Sequence, residues 1–422
     1  MIKMLKIYLV IYNILFVIFL PILIVIMMFS RKYRKECFYK IFERFAFYKN
    51  LIKRNNKPTI WLHCASLGEV RAVEPILDNL KSDNNIILTT ITKTGRDYAE
   101  KINKASAVFL FPIDIYPIVL KAFNTINPDI IIIVETELWP TLLYTAYKKN
   151  VKVVTINGRM SRKAFRVYKN LRFFWEKFVS LISTIIARSN EDADRFKALL
   201  TKDTNRIIIS GNIKYDRDFS VNFQRAALFL KEEDFIFTAG STREGEEEII
   251  TDVYNKIRLE FKNVKFFLAP RHLTRLKDII KILENKNIEY SLFSSKKLKN
   301  NFILVDVFGK LQEIYSISDL CYVGGSMVDM GGHNPIEPAG LAKPVIFGNY
   351  MDNFLTESET LVKNGGAFIV QDYNDLADKI KKFILDHKML KIMGQQAIKV
   401  VDSQKGAVAF TIQTIENKLY DR

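Results

Sequence analysis

Cysteine and histidine are scarce in this sequence of 422 residues. The three cysteines, Cys37, Cys64 and Cys321, lie far apart, and no CxxC pair occurs. A disulfide framework and a cysteine-rich zinc site are therefore not expected, and a reducing compartment is favoured. Three of the four histidines fall inside the motifs described below, which makes those motifs candidates for function.

Acidic residues are outnumbered, with 46 Asp and Glu against 63 Lys and Arg, which gives a formal net charge of +17. A basic surplus of this size suggests an anionic partner: nucleic acid, phospholipid or a phosphorylated substrate. The abundance of Lys, Ile and Asn has a second explanation, a base-composition bias of the genome. Both explanations are compatible with the composition.

Charge is absent from residues 7–29, a run of 23 residues in which Asn13 is the only strongly polar side chain. A helix of this length spans about 30 Å of hydrocarbon. A cleaved signal peptide is the alternative, but the apolar run is too long and no small-residue cleavage site follows. Residues 1–30 are therefore predicted to form a retained membrane anchor, kinked at Pro21.

The charges on either side of this run predict its orientation. Only Lys3 and Lys6 precede it, whereas residues 31–57 carry ten basic and two acidic residues. The positive-inside rule then places the bulk of the chain in the cytoplasm. Aromatic residues are interleaved with this basic stretch, which is predicted either to lie along an anionic leaflet or simply to be solvated.

Beyond residue 57, strand-like segments alternate with helical segments in two series. Such alternation predicts α/β domains in which helices cover both faces of a parallel sheet. The linker between the two series is placed within residues 216–234. The predicted strands cover residues 59–63, 85–90, 107–111, 129–135, 151–157, 184–189 and 206–210, and then 235–240, 265–270, 288–293, 302–306, 320–325 and 344–348.

Charged residues follow several strands of the first series, where ligands bind in open α/β sheets. Glu69 is either a general base for an attacking hydroxyl or a carboxylate that stabilises a helix start. Glu135 and Glu137 either bind acceptor hydroxyls or hold Glu69 and a cation in place. Lys214 is a candidate for stabilising negative charge on a leaving group. Residues 158–172 carry six basic residues and no acid, and either grip phosphates or form a solvated face.

The most distinctive segment of the second series is GGSMVDMGGHNPIEPAG at residues 324–340. Its glycines allow a ligand to approach the backbone closely. Pro335 suits the first turn of a helix, and the N-terminus of a helix can hold phosphate. Glu337 could accept hydrogen bonds from ribose hydroxyls or, alternatively, stabilise the helix start. We favour a nucleotide site.

Two further loops of the second series are less specific. Arg271 and His272 in the PRH segment are candidate phosphate partners, because a guanidinium is a fork-shaped donor. The segment GSTREGEEE at residues 240–248 combines a strand, a small-residue turn and a helix start. Its acidic residues suit the helix dipole, so Glu246, Glu247 and Glu248 are predicted to be structural rather than catalytic.

Taken together, these motifs resemble those of the bacterial Kdo transferases, which add 3-deoxy-D-manno-oct-2-ulosonic acid (Kdo) to the lipid A precursor. The resemblance covers nearly the whole chain. It implies an α/β glycosyltransferase-B fold of two Rossmann-like domains with a cleft between them, preceded by the anchor. The acceptor-binding domain would be residues 31–220 and the CMP-Kdo-binding domain residues 221–422. The shared motifs are ASLGEV, ETELWP, INGRMS, GNIKYD, GSTREGEEE, PRH and GGHNPIEPAG, in that order.

The resemblance also implies residue roles. Glu69 would be the base of an inverting transfer, supported by Lys214 and the ETELWP carboxylates Glu135 and Glu137, without metal or cofactor. Many family members have Gly-Glu-Leu where this chain has a lysine at position 310, so side-chain recognition at that turn does not carry over directly. The implied contacts to CMP-Kdo are Arg271, His272, Phe308, Gly309, Lys310, Asn334, Pro335, Ile336 and Glu337.

The implied partners are CMP-Kdo as donor and lipid IVA, a bis-phosphorylated lipid, as acceptor at the anionic cytoplasmic leaflet of the bacterial inner membrane. The basic charge and the anchor suit both. One rival interpretation is another membrane-associated enzyme of the same fold that uses a UDP-sugar and a lipid-linked acceptor. Another is a non-enzymatic binder of anionic lipid or nucleic acid. Such a binder would not need the ordered carboxylate and glycine motifs, so nucleic acid is not expected as a partner.

Overall fold

The structure, a computed structural model, describes residues 2–29, 39–48, 56–295 and 298–420. Most of the basic stretch at 31–57 lies outside the described residues, so its contact with a leaflet stays a prediction. The chain forms two compact units, residues 1–217 together with 405–422, and residues 218–404.

The first unit is built on a seven-stranded parallel sheet in the order β3-β2-β1-β4-β5-β6-β7. Two clusters of buried apolar side chains, contributed by alternate positions of the strands, show that both faces of the sheet are covered. Because the strands are parallel, their carboxyl ends lie along one edge. The strands are β1 (Thr59–Cys64), β2 (Asn85–Thr90), β3 (Ala107–Leu110), β4 (Ile130–Val134), β5 (Lys152–Gly158), β6 (Thr184–Ala187) and β7 (Ile207–Ile209).

Helices of the first unit begin with side-chain caps at several strand-to-helix turns. The hydroxyls of Thr92, Ser161 and Ser189 each accept a hydrogen bond from a backbone N–H in the first turn. The helices are α1 (Ile2–Phe29), α2 (Ile41–Arg44), α3 (Leu67–Ala72), α4 (Glu74–Leu80), α5 (Lys93–Ile102), α6 (Tyr116–Ile126), α7 (Pro140–Lys148), α8 (Arg162–Asn170), α9 (Arg172–Val179) and α10 (Asn190–Leu199).

Helix α1 contains the segment Lys3–Ile22, which has a mean hydropathy of 2.2 and is long and apolar enough to cross a membrane. One side of the helix packs on the first unit, where Leu5 and Leu9 are buried. Asn13 forms a polar attachment there: its Oδ1 accepts from the Tyr116 backbone N–H at 2.8 Å, and its Nδ2 donates to Thr141 Oγ1 at 3.1 Å. The lone polar side chain of the apolar run therefore connects the helix to the α/β unit.

The second unit has its own seven-stranded parallel sheet in the order β10-β11-β9-β8-β12-β13-β14. Every predicted strand overlaps an observed one, whereas β14, a three-residue edge strand, was not predicted. The strands are β8 (Phe235–Thr242), β9 (Val264–Pro270), β10 (Tyr290–Leu292), β11 (Phe302–Leu304), β12 (Leu320–Val323), β13 (Val345–Phe347) and β14 (Ala367–Ile369). The helices are α11 (Glu246–Ile257), α12 (Leu276–Asn285), α13 (Leu311–Ile317), α14 (Ile336–Gly340), α15 (Leu355–Lys363), α16 (Tyr373–Leu385) and α17 (His387–Ser403).

The chain then returns to the first unit in its last helix, α18 (Ala407–Tyr420). Asp216 accepts hydrogen bonds from the backbone N–H groups of Gly406 at 2.5 Å and Val408 at 2.6 Å, and so caps this helix from a distant part of the sequence. The compact units therefore differ from the predicted domains 31–220 and 221–422 at the C-terminal end, because an apolar face of α18 is buried in the first unit.

Candidate active site

Glu69 lies in the first turn of α3, directly after β1. Its Oε2 accepts a hydrogen bond from the Ala65 backbone N–H at 2.5 Å, and its Oε1 accepts one from Ser66 Oγ at 3.2 Å. The carboxylate therefore stabilises the helix start, much as the acidic residue of a capping box does. The same two bonds fix its orientation, so the structural and catalytic interpretations of Glu69 are compatible.

The environment of Glu69 favours its protonated form near neutral pH. Burial raises the pKa of Glu69 to about 8, and the negative charges of Glu135 and Glu137 add to the effect of burial. The hydrogen bonds from Ala65 and Ser66 offset part of this increase. A carboxyl group with such a pKa accepts a proton far more readily than an exposed glutamate does.

Glu135, which follows β4, has the opposite electrostatic environment. Burial by itself would raise its pKa, but the positive charges of Lys214, Arg159 and Arg188 together hold the pKa below its ordinary value. Lys214 Nζ donates to Glu135 Oε1 at 2.9 Å. The backbone of Glu135 is left-handed, with φ of 61°, a conformation that is costly for residues other than glycine. Such strain is concentrated at functional sites.

Lys214 is positioned by contacts between two of the sequence motifs. It lies in the 3-10 turn Ile213–Asp216, and its backbone N–H donates to Asn212 Oδ1 at 3.1 Å. The preceding N–H, that of Ile213, donates to Oδ1 of the buried Asn157 at 3.2 Å. Asn157 is also left-handed, with φ of 50°. The asparagine of INGRMS therefore holds the GNIKYD turn that carries Lys214.

Glu137 completes a group of three carboxylates on the first unit. Burial raises the pKa of Glu137 to about 7, and the charge of Glu135 also raises it. Glu135 therefore stays ionised while Glu69 and Glu137 can hold protons near neutral pH. Environments that separate the pKa values of neighbouring carboxyls distinguish acid and base roles in active sites.

The basic run at 158–172 extends from the last residue of β5 through α8 to the first residue of α9. None of the residues of α8 is buried, and Arg162 Nε lies 3.7 Å from Glu191 Oε1 in a long ion pair. Phe173 is 60% exposed, and its ring lies 6.2 Å from that of Tyr8 in α1. Helix α8 is therefore solvent-facing, and the residue that contacts the apolar helix, Phe173, follows shortly after it. The predicted grip of the run on phosphates stays a prediction.

On the second unit, Glu246 organises the glycine-rich segment that follows β12. Its buried carboxylate accepts hydrogen bonds from the backbone N–H groups of Gly325, Ser326 and Met327 and from the Tyr322 hydroxyl, at 2.6–3.0 Å. This acidic residue is structural, as predicted. Its carboxylate satisfies three backbone N–H donors and so fixes the conformation of the loop.

The helix predicted after His333 is present, but Pro335 precedes its first turn instead of lying within it. Helix α14 contains only five residues. The Oδ1 of Asn334 already accepts a hydrogen bond from the Ile336 backbone N–H at 3.1 Å. Glu337 lies in the first turn and is partly exposed. Asn334 therefore caps this helix in the structure.

The turn at residues 308–310 carries an exposed aromatic ring, that of Phe308, and an ion pair, that of Lys310. Phe308 is 61% exposed, and Gly309 has a φ of 85°, which glycine adopts without strain. Lys310 Nζ donates to both carboxylate oxygens of Glu313, at 2.7 and 2.9 Å. The lysine at position 310 therefore holds a carboxylate close to this turn.

Arg243 and His333 were not among the predicted site residues, yet Arg243 contacts both His333 and the predicted residue His272. Arg243 Nη1 lies 2.8 Å from His272 Nε2, and Arg243 Nε donates to His333 Nε2 at 3.1 Å. The Arg271 backbone N–H donates to Thr242 O at 3.0 Å, which brings the PRH loop beside the GSTR loop. The scarcity of histidine in the sequence was the feature that could have pointed to His333 as a site residue. His63, which lies two residues before the ASLGEV motif, is instead fully buried in the first unit.

The fold is shared with solved structures of nucleotide-sugar enzymes. The UDP-GlcNAc 2-epimerase of Neisseria meningitidis superposes with a TM-score of 0.61 at 12% identity, covering 85% of this chain and 100% of that one. A putative UDP-N-acetylglucosamine 2-epimerase of Listeria monocytogenes gives a TM-score of 0.63 at 11% identity, covering 87% and 98%. These likenesses confirm the predicted class, two Rossmann-like domains of the glycosyltransferase-B type.

The sequence relatives define the family. Residues 39–217 match the family model for 3-deoxy-D-manno-octulosonic-acid transferase (kdotransferase). The 3-deoxy-D-manno-octulosonic acid transferase of Haemophilus influenzae is 31% identical over 392 residues, which cover 90% of this chain and 90% of that protein. The enzyme of the same name from Aquifex aeolicus is 31% identical over 357 residues, covering 84% and 93%. This chain belongs to the Kdo transferase family of glycosyltransferases.

One relative is longer than this chain. A bifunctional glycosyltransferase/methyltransferase of Fusobacterium nucleatum is 33% identical over 341 residues, which cover 76% of this chain but only 52% of that protein. The similarity therefore concerns about half of the bifunctional protein.

Proposed function

We propose that this chain transfers Kdo from CMP-Kdo to lipid IVA, the lipid A precursor, in the biosynthesis of the lipopolysaccharide core. Membership of the Kdo transferase family supports the transferred sugar. The observation that carries the proposed mechanism is the Glu69 carboxylate, with a pKa of about 8 and two hydrogen bonds that fix its orientation.

In the proposed mechanism, Glu69 takes the proton of the acceptor hydroxyl as its oxygen attacks the anomeric carbon of Kdo. The bond from that carbon to the phosphate oxygen of CMP breaks in the same step, and CMP leaves with the electron pair. Attack from the side opposite the leaving group inverts the anomeric centre. Lys214, held by Glu135, stabilises the negative charge that develops, and no metal ion takes part.

We assign donor binding to the second unit. Arg271 and His272 would contact the phosphate, and the segments 308–310 and 334–337 would contact the nucleoside. The exposed ring of Phe308 provides an apolar surface, and the carboxylates of Glu313 and Glu337 can accept hydrogen bonds from ribose hydroxyls. These side chains are carried by loops at the carboxyl ends of β9, β11 and β12, where ligands bind in such sheets.

We assign acceptor binding and membrane attachment to the first unit. Helix α1 would anchor the chain in the bacterial inner membrane, with both α/β units on the cytoplasmic side. The solvent-facing basic helix α8 lies next in sequence to Phe173, which contacts α1. Its lysines and arginines would meet the phosphates of lipid IVA at the surface of the anionic leaflet.

Incubation of the detergent-extracted protein with CMP-Kdo and lipid IVA tests this proposal, with the mass of the lipid product as the readout. We expect the lipid to gain mass in whole Kdo units, and the number of units gives the multiplicity of transfer. We expect the same gain in the presence of EDTA, because no step is assigned to a metal ion.

A matched incubation replaces CMP-Kdo with a set of UDP-sugars, and lipid IVA should then stay unchanged. The proposal fails if well-folded protein adds nothing from CMP-Kdo. A gain from a UDP-sugar on a lipid-linked acceptor would instead support the rival transferase.

A further inference from the structure

The side chain of Arg243 is held by two imidazole rings. Its Nε donates to His333 Nε2 at 3.1 Å, and its Nη1 lies 2.8 Å from His272 Nε2. Among the residues that the structure describes, no carboxylate accepts a hydrogen bond from this guanidinium. The two imidazoles fix its orientation without neutralising its charge.

Two other arginines of the second unit, Arg225 and Arg275, are paired with acids. Arg225 donates to both carboxylate oxygens of Asp319, at 2.8 and 2.7 Å, and Arg275 contacts the carboxylates of Glu244 and Glu247. Such pairs neutralise the charge of an arginine, and bidentate geometry makes them strong. Arg243 differs from both residues in this respect.

Burial and one nearby cation disfavour the charged form of Arg243. Burial lowers the pKa of the Arg243 guanidinium, and the charge of Arg271 lowers it further, whereas Glu246 and Glu247 act in the opposite direction. The carboxylate of Glu246 is occupied by backbone donors, including the N–H of Arg243 itself at 2.8 Å. A partly buried cation without an ion-pair partner favours an anionic ligand.

The backbone around this cation is shaped for a close approach. A Cβ added at Gly325 would lie 3.2 Å from His333 Cδ2 and 3.6 Å from Arg243 Cγ, and Gly325 has a φ of 71°. A side chain at this position would crowd the His333 ring and would need a left-handed backbone conformation. The glycine-rich segment therefore allows the two side chains to pack directly against the loop.

We propose that Arg243 binds the phosphate of the nucleotide in the sugar donor beside Arg271 and His272, and that His333 is a positioning residue that aims its guanidinium. None of the described residues accepts a hydrogen bond from Arg243 Nη2, so this nitrogen can donate to phosphate oxygens, which a guanidinium can contact in pairs. This inference rests on the proposed function in that it places the phosphate within the donor site of the second unit.

The arrangement needs neutral imidazoles, because a protonated ring nitrogen cannot accept a hydrogen bond from arginine. Burial lowers the pKa of His333 to about 3, and the charges of Arg271, Arg243 and His272 act in the same direction. His333 therefore remains a hydrogen-bond acceptor throughout the neutral range.

Titration calorimetry of the full-length protein with CMP tests the proposal. Arg243→Gln should weaken CMP binding about 10- to 100-fold, the range expected for loss of a charge-assisted hydrogen bond. Cytidine, which lacks the phosphate, should bind wild type and variant equally. The matched control is Arg258→Gln, which makes the same chemical change at the other end of α11. Arg258 lies about 18 Å from the start of that helix, so its replacement should leave CMP binding unchanged.

Variants of His333 separate positioning from folding. His333→Leu removes the acceptor and should weaken CMP binding several-fold, while His333→Gln, which keeps an acceptor oxygen, should restore most of the affinity. Equal CMP affinity in wild type and folded Arg243→Gln protein would overturn the proposal while leaving Kdo transfer intact. If UDP binds in place of CMP and Arg243→Gln weakens it, the phosphate site stands and the proposed donor fails.

Discussion

Glu69→Gln is expected to lower the rate of Kdo transfer about 10²- to 10⁴-fold, which is the usual contribution of general-base catalysis. The amide cannot take a proton from the acceptor hydroxyl. It can still accept the hydrogen bond from the Ala65 N–H, so the start of α3 should be preserved. The measurement is the initial rate of lipid product formation at saturating CMP-Kdo.

The same variant is expected to be more stable than wild type, by roughly 2–5 kcal/mol at alkaline pH. The pKa of Glu69 is raised from 4.5 to about 8 on folding, so the folded protein holds a proton that the unfolded chain releases. Stability is therefore lost as pH rises from 4.5, and the full cost is present above pH 8. Glutamine carries no charge and avoids this cost, so the gain should grow with pH.

Tryptophan fluorescence during urea unfolding can measure this difference within one unit, since Trp61, Trp139 and Trp175 all belong to the first unit. Ser66→Ala serves as a control, because it removes a hydrogen bond to Glu69 but keeps the carboxylate. A Glu69→Gln protein that retains full activity would remove this residue from the mechanism, whatever its stability.

Lys214→Gln is expected to damage both stability and catalysis. Glu135 would lose the cation 2.9 Å from its Oε1, and its pKa should rise toward or above the ordinary value. Loss of one partner from a largely buried pair should cost about 1–3 kcal/mol, a range reduced because both side chains are 18% exposed. The rate should fall about 10²- to 10³-fold if Lys214 stabilises the developing charge.

The pH dependence gives the sign of the stability effect. Because the pKa of Glu135 is depressed in the folded protein, the pair contributes stability above the unfolded pKa of 4.5. This contribution is lost as pH falls through the folded pKa. The difference between wild type and Lys214→Gln should therefore be largest at neutral pH and shrink in acid.

A double variant separates the two roles of the pair. Lys214→Gln with Glu135→Gln removes the unpaired carboxylate, so it should regain stability without regaining activity. Lys214→Arg keeps the charge and should retain more of both. Activity in the double variant near the wild-type level would show that the pair is only structural.

The sequence was sufficient to predict the two parallel sheets and the loops after their strands, in which the candidate site residues lie, because apolar strands alternate regularly with helices. It was not sufficient for contacts between distant segments. The capping of α18 by Asp216 and the attachment of α1 through Asn13 join residues far apart in the chain. Neither residue belongs to a local pattern that distinguishes it from other polar residues.

The electrostatic environment of the candidate site residues could not be predicted from the sequence either. Glu69 and Glu135 are the same residue type and follow neighbouring strands. Burial and nearby carboxylates raise the pKa of Glu69, whereas the charge of Lys214 lowers the pKa of Glu135. In the sequence, Arg243 could be recognised only as one residue of the GSTREGEEE segment that begins at the end of β8. Its unneutralised charge depends on which side chains surround it in the folded unit, namely two imidazoles and Arg271.

The most direct test of the account is the pH dependence of kcat, measured from about pH 5.5 to about pH 9.5. We expect the rate to rise with pH and to level off above about 8, as Glu69 loses its proton. In Glu137→Gln the rise should move to lower pH, because one charge that raises the pKa of Glu69 is gone. A rate that does not change with pH across the neutral range would contradict the assignment of Glu69 as the base.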